Sequence, residues 1–188
     1  EFTSLSIGEM YSNDEIRRVL HVGNAGGIRL CAGEDGVPRR AVVMTSSPKA
    51  KQERENPYRD RIEDDVLVYT AAGLEGDQSL SGMNLRLTEQ RQARFPIHGF
   101  MLMASRRDKS VGPRRWKYLG LLEYLRHYPE QQLDSRGDLR SAWIIEMGIH
   151  GEPETVPVSA DYPAMNELLH LSRFVSDSEE DRDIGEPT

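Results

Sequence analysis

The stretch YRDRIEDDVLVYTAAGLEGD (residues 58–77), followed after a short gap by SGMNLR (residues 81–86), decides the fold. Val66 to Tyr69 is a run of β-branched, aliphatic and aromatic residues, the composition of a strand. The paired acids Asp64-Asp65 stand before it and Gly73 and Gly76 stand after it, so turn residues bound the run on both sides. Leu85 to Arg94, further on, is polar enough to be either helix or loop.

On both sides of this stretch the chain repeats the same grammar. Ser12 and Glu15 form an S-x-x-E capping box, and Ile16, Val19 and Leu20 follow at helical spacing, which predicts a first helix. Gly23 and the Gly26-Gly27 pair end it. Ile28 to Cys31 and Ala41 to Thr45 read as strands divided by the turn residues Glu34-Asp35-Gly36. Residues 46–57 are polar, carry Pro48 and Pro57, and read as a loop. Phe100 to Ala104, Trp116 to Leu125 (broken at Gly120) and Ala142 to Met147 are further strands. Pro163 opens a last helix with Met165, Leu168, Leu169 and Phe174 as its apolar stripe. Many short strands with few helices predict an α+β, mainly β fold, a curved antiparallel β-barrel with flanking helices. Three regions are expected: a domain over residues 5–150, a C-terminal extension over 151–174, and an acidic disordered tail over 175–188.

Composition narrows the function classes. The 188 residues are 37% hydrophobic and include one cysteine, Cys31. That excludes an internal disulfide framework and a cysteine zinc cage, and fits a reducing, cytoplasmic setting. No apolar run reaches the ~18–20 residues of a membrane span. The N-terminal residues have no basic, apolar leader pattern, so a soluble protein is expected. The net charge is −7, but it is unevenly spread. The tail from Val175 holds six acids against Arg182, whereas residues 86–117 hold nine bases against Glu89 and Asp108. A basic sector in a near-neutral domain is the footprint of a phosphate-binding surface, or else a solvated face bridged to acidic neighbours.

Catalytic signatures are few. The histidines at 21, 98, 127, 150 and 170 form no metal-ligand spacing, and neither a phosphate-binding glycine loop nor a nucleophile elbow is present. Asp64, Asp65 and Glu146 are the one set that would suit a Mg²⁺-dependent nuclease; the simpler reading makes the paired acids a turn. Trp116, Trp143 and His98 read as core residues. No catalytic residue, metal ligand or cofactor is expected.

The order of these pieces resembles the SET- and RING-associated (SRA) domain, which reads modified cytosine in DNA. The carrying residues are Tyr58 with Asp60, Tyr69-Thr70, Gly73 to Asp77 and Asn84 to Arg86. The version found in bacterial modification-dependent (type IV) restriction endonucleases is closer still. It is similar at Ile7 to Ser12, Gly26-Gly27-Ile28, Asp64-Asp65-Val66, His98-Gly99-Phe100 and Tyr118-Leu119-Gly120, with Asp134, Gly137 and Arg140 before Ala142 matching its last hairpin. The resemblance covers roughly residues 5 to 150. Ala71-Ala72 depart from it, replacing a glycine-rich turn.

The resemblance implies an SRA/PUA-like barrel that flips a modified cytosine, 5-methylcytosine or a related base, out of double-stranded DNA. The chain would be the targeting module of a restriction system, with a fused or partner nuclease. Tyr58, Asp60, Tyr69 and Thr70 would form the base pocket. Asn84, Arg86, Arg91, Arg94, Arg106, Arg107, Arg114 and Arg115 would contact DNA, the Asn84 to Arg86 segment supplying a finger into the duplex. The chemistry is apt: flipping costs a few kcal/mol, aromatic stacking returns about 1–3 kcal/mol per base, and a carboxylate accepts from the cytosine N4 amino group. On the residues alone two readings stand, this pocket or a core tyrosine beside a turn-capping aspartate. A related barrel that binds RNA or a protein is the further alternative.

Overall fold

The computed structural model describes residues 2–46 and 60–163. Tyr58, the final helix expected from Pro163 and the acidic tail lie outside the described residues. Among the described residues there are ten strands, three short α-helices and one 3-10 turn, Lys109–Val111. The first helix, α1 (Asn13–Leu20), forms where its capping box predicts: the Glu15 amide donates to Ser12 Oγ and the Ser12 amide to Glu15 Oε1, each at 3.0 Å. It stops earlier than the glycines suggested, because His21 takes the left-handed conformation at its C-cap.

The main sheet has eight strands. β3 (Ile28–Cys31), β4 (Arg40–Ser46), β7 (Ile97–Leu102), β8 (Arg114–Leu133), β9 (Leu139–His150), β6 (Val66–Thr70) and β5 (Arg61–Glu63) follow one another across it, and β2 (Met10–Ser12) pairs with β8. The outer strands β3 and β5 are not paired with each other, so the expected barrel is not closed by a ladder. Nor is it wholly antiparallel: β4 and β7 run parallel, Ala41 opposite Ile97 and Ser46 opposite Leu102. Parallel neighbours need a long crossover. That crossover holds β5, β6 and the helices α2 (Gly82–Thr88) and α3 (Gln90–Ala93), which resolve the ambiguous polar stretch as helix.

Two apolar clusters form the core. One gathers Ile16 and Leu20 of α1 with Val42, Phe100 and Tyr118; the other gathers Val43, Leu67, Tyr69, Leu87, Phe95, Ile97 and Ile145. Trp116 packs on the first cluster and Trp143 on the second, as expected of core tryptophans. His98 is buried with Nδ1 2.8 Å from the Tyr118 hydroxyl, and burial pushes its pKa down to about 3, so it is a neutral structural residue. The chain beyond residue 150 returns to the domain, for β10 (Thr155–Pro157) pairs with β1 (Ser4–Ser6).

β8 is not broken at Gly120. That glycine lies opposite Gly99 beside a bulge, at φ +112°, and an added Cβ would stand 2.5 Å from the His150 carbonyl oxygen. Positive φ and contact with a backbone oxygen leave no room to adjust. Gly120→Ala is therefore expected to lower the unfolding free energy by about 2–4 kcal/mol, read from urea denaturation. A change under half a kcal/mol would show that the strand crossing is loose.

Candidate nucleic-acid interface

Asp60 stands directly before β5 and is 4% exposed. Its Oδ2 accepts from Thr45 Oγ1 at 2.7 Å and from the Ser46 amide at 3.4 Å. Its Oδ1 accepts the Thr70 amide at 2.8 Å, and the Thr70 hydroxyl also lowers its pKa by hydrogen bonding. These donors come from the C-terminal ends of β4 and β6. Burial outweighs them and pushes the Asp60 pKa up to about 6.

Thr70 continues the chain of contacts. Gln132 Nε2, near the end of β8, donates to Thr70 Oγ1 at 3.2 Å and to Glu130 Oε2 at 2.7 Å. Tyr69, the neighbouring residue, points into the second apolar cluster with its ring packed among Ile28, Val43 and Leu67. Its hydroxyl reaches Gly27, where an added Cβ would stand 2.4 Å away. Asp60 and Thr70 are thus together, while the ring of Tyr69, next to Thr70 in the chain, belongs to the second apolar cluster; Tyr58 lies outside the described residues. The ring of Tyr69 is a packed wall in this structure, 3% exposed.

The glycine loop after Thr70 is stitched to the β8–β9 hairpin. Asp134 accepts the amides of Gly76, Arg136 and Asp138, and Arg140 donates to the carbonyls of Gly73 and Gly76. The expected hairpin residues Asp134, Gly137 and Arg140 therefore do form that turn and anchor a second loop to it. Asn84 serves the same loop: it is buried, accepts the Ala72 amide at 2.9 Å and donates to the carbonyls of Ala72 and Ser79. Its amide is committed inside the protein, so it is a loop brace in this structure rather than an exposed finger.

The basic stretch is divided by the fold. Arg86, Arg91 and Arg94 stand before β7, whereas Arg106, Arg107, Arg114 and Arg115 stand after it, with six residues of strand (about 20 Å) between the two groups. Arg86 pairs with Glu89 at 3.3 Å, Arg91 donates to the Tyr124 carbonyl at 3.2 Å, and Arg94 lies 5.0 Å over the Tyr162 ring. The second group is nearer the Asp60 cluster, because Ser46, which donates to Asp60, is opposite Leu102 at the end of β7. In it Arg106, Arg107 and Lys109 are exposed, Arg115 donates to the Ser105 carbonyl, and Arg114 pairs with Glu15 at 3.0 Å.

The carboxylates of a nuclease are not assembled. Asp64 and Asp65 both have positive φ and form the exposed turn between β5 and β6, while Glu146 is tied to Arg126 and accepts from the Tyr128 hydroxyl at 3.0 Å. Among the described residues no group of three or more histidine, cysteine or acidic side chains could hold a metal ion. No helix among them is long and apolar enough to cross a membrane. Sequence reasoning missed Thr45, Ser46 and Gln132, which line the same cluster. Thr45 and Ser46 end an apolar run and read as its polar boundary, and Gln132 is distant in sequence with no pattern pointing to it.

No protein-family model matches the chain, and no curated protein matches it. Solved structures do. The SRA domain of SUVH5 in complex with fully methylated CG DNA aligns at TM-score 0.57 and 18% identity, over 81% of this chain and 94% of that one. KRYPTONITE in complex with mCHG DNA and SAH aligns at 0.57 and 18%, over 79% of this chain and 33% of that one. The sulfur-binding and SRA domains of ScoMcrA, complexed with phosphorothioated DNA, align at 0.54 and 19%, over 80% and 42%. ScoMcrA is a type IV phosphorothioation-dependent restriction endonuclease. The chain has the SRA fold, and it spans less than half of the KRYPTONITE and ScoMcrA chains.

The buried carboxylate gives this cluster a pH signature. Between the ordinary carboxyl pKa of 3.8 and the raised value of about 6, folded Asp60 keeps a proton that the unfolded chain has lost. Its contribution to stability is therefore full below about pH 4 and falls as pH rises through 6. Asp60→Asn removes that dependence. On going from pH 4 to pH 7 the variant should gain on the parent by on the order of 2 kcal/mol in urea denaturation. A difference that is constant with pH would show that Asp60 titrates normally.

Proposed function

We propose that this chain binds double-stranded DNA carrying a modified cytosine, 5-methylcytosine or a related base, by taking that base out of the stack. The observation that carries the reading is the buried Asp60–Thr70 cluster, with Tyr69 adjacent on the same strand, set within an SRA fold and beside an exposed basic loop. Each part has a task. The Asp60 carboxylate accepts from the N4 amino group of cytosine, and the 3.4 Å contact from Ser46 is the weakest of its present bonds and the one to yield. A thymine would present an acceptor there and be repelled. Tyr69 supplies one wall and Tyr58 the opposite stacking face. Arg106, Arg107, Lys109 and Arg115, in and beside the loop after β7, hold the phosphates; Arg86, Arg91 and Arg94 stand at the other end of β7 and contribute less, and Arg114 is paired with Glu15.

The SRA domains of SUVH5 and ScoMcrA were solved with methylated and phosphorothioated DNA respectively, which supports modified DNA as the ligand class. The chain is read as a non-catalytic targeting module acting in the cytoplasm with a fused or partner nuclease, a role of the kind the ScoMcrA structure suggests.

Binding to otherwise identical duplexes with and without one 5-methylcytosine tests this. One buried methyl group is worth ~0.8 kcal/mol, up to about 3 kcal/mol in a tight pocket, so a preference of roughly 4- to 150-fold is expected. Four phosphate contacts give a log–log salt slope near −3.6. Arg106→Ala with Arg107→Ala should weaken both duplexes alike and flatten the slope by about 2. Equal affinity for the two duplexes would overturn the modified-base reading, and a slope near zero the phosphate surface.

A further inference from the structure

Gln132 has an acceptor with nothing to accept. It is 1% exposed, and both its described bonds use Nε2 as donor, to Thr70 Oγ1 and to Glu130 Oε2. Its Oε1 is buried without a hydrogen-bond partner among the described residues. Rotating the amide would not relieve it, because Oε1 would then face the Glu130 carboxylate, acceptor against acceptor. Leaving a buried oxygen unpaired is costly, and native proteins tolerate it mainly where something else completes the bond.

The position of that oxygen makes it informative. Gln132 touches Thr70, whose amide and hydroxyl serve Asp60, so the two acceptors flank one residue of the cluster. Asp60 has little acceptor capacity to spare, with Thr45, Ser46 and both polar groups of Thr70 on its two oxygens. A cytosine amino group presents two N–H donors. One carboxylate position released by Ser46 satisfies one of them, and the second needs another acceptor nearby.

We propose that Gln132 is a specificity-determining residue whose Oε1 accepts the second N4–H of the extruded cytosine. The proposal rests on the base-reading function argued above. It makes recognition of the amino group bidentate, with Asp60 on one hydrogen and Gln132 on the other. A base with a carbonyl at that position would meet two acceptors instead of one.

The test combines a change in the protein with a change in the base. Gln132→Met keeps the volume and removes the amide. On a duplex with one 5-methylcytosine it should lose about five- to tenfold in affinity, while a duplex with thymine at that position, which has a carbonyl in place of the amino group, is bound as by the parent. A third duplex carries the same base with one added N4-methyl group, which deletes one N–H. The parent should bind it at least fivefold more weakly than the 5-methylcytosine duplex, and the variant should show less than half that penalty. In the parent, the Gln132 side-chain amide NMR signals should shift on adding 5-methylcytosine duplex and stay in place with a duplex carrying thymine at that position. This last readout needs no variant to fold. If the parent prefers 5-methylcytosine, yet the variant suffers the full N4-methyl penalty or the amide signals stay in place, Gln132 does not touch the amino group. If the parent shows no preference for modified DNA, the base-reading function itself fails and this proposal with it.

Discussion

One buried carboxylate joins two strands that the sheet keeps apart. β4 and β6 are separated by β7, β8 and β9 in the strand order, so no backbone ladder links them. Asp60 does so, accepting from Thr45 and Ser46 on one side and from Thr70 on the other. The sheet can therefore curl until its two ends meet without closing as a ladder. The cost is a charge out of water, visible as a pKa pushed up to about 6. Hydrogen bonds to the ionised form offset part of that cost. A hydrophobic residue there would avoid the desolvation, but it would leave the Thr70 amide and the Thr45 hydroxyl without their acceptor.

Around that link the curl is shaped by small residues and by a long hairpin. Gly99 opposite Gly120 lets the β7–β8 crossing come close, and a second register shift lies between Tyr124 and Arg126 on β8. The far half of the β8–β9 hairpin then carries Gln132 to Thr70, while its turn holds the glycine loop through Asp134 and Arg140. Asn84 braces the same loop from α2. The loop that follows the candidate pocket is thus held from two directions, which suits a site that must present fixed groups to a base.

Local features of this arrangement were legible in the sequence. The capping box of α1 and the strand through Tyr69 each depend on neighbours a few positions away, while the hairpin residues Asp134 and Gly137 were found through the resemblance. The parallel pairing of β4 with β7 was not legible, because both strands are apolar runs whose composition says nothing about direction. β8 looked shorter than it is, since beyond Leu125 its Arg126, His127, Glu130, Gln131 and Gln132 resemble a solvated loop. Its polar residues belong to a hairpin whose inner face buries Gln132. At the site, Asp60, Tyr69 and Thr70 were found through the resemblance, while Thr45, Ser46 and Gln132 depend on tertiary closure. No spacing rule reaches across 62 residues from Thr70 to Gln132.

Charge shows the same limit. Nine bases close together in sequence suggested one surface, yet β7 divides them, and one group is spent on Glu89, the Tyr124 carbonyl and the Tyr162 ring. Among the described residues, the loop after β7 brings exposed cations towards the Asp60 cluster. A chain of net charge −7 can then bind a polyanion without contradiction, because screening confines each charge to within about a Debye length. Over that range the phosphates would meet Arg106, Arg107 and Lys109 rather than the sum of the whole chain. Affinity would come from that loop, and selectivity from a buried cluster whose one carboxylate contributes no long-range attraction to phosphate.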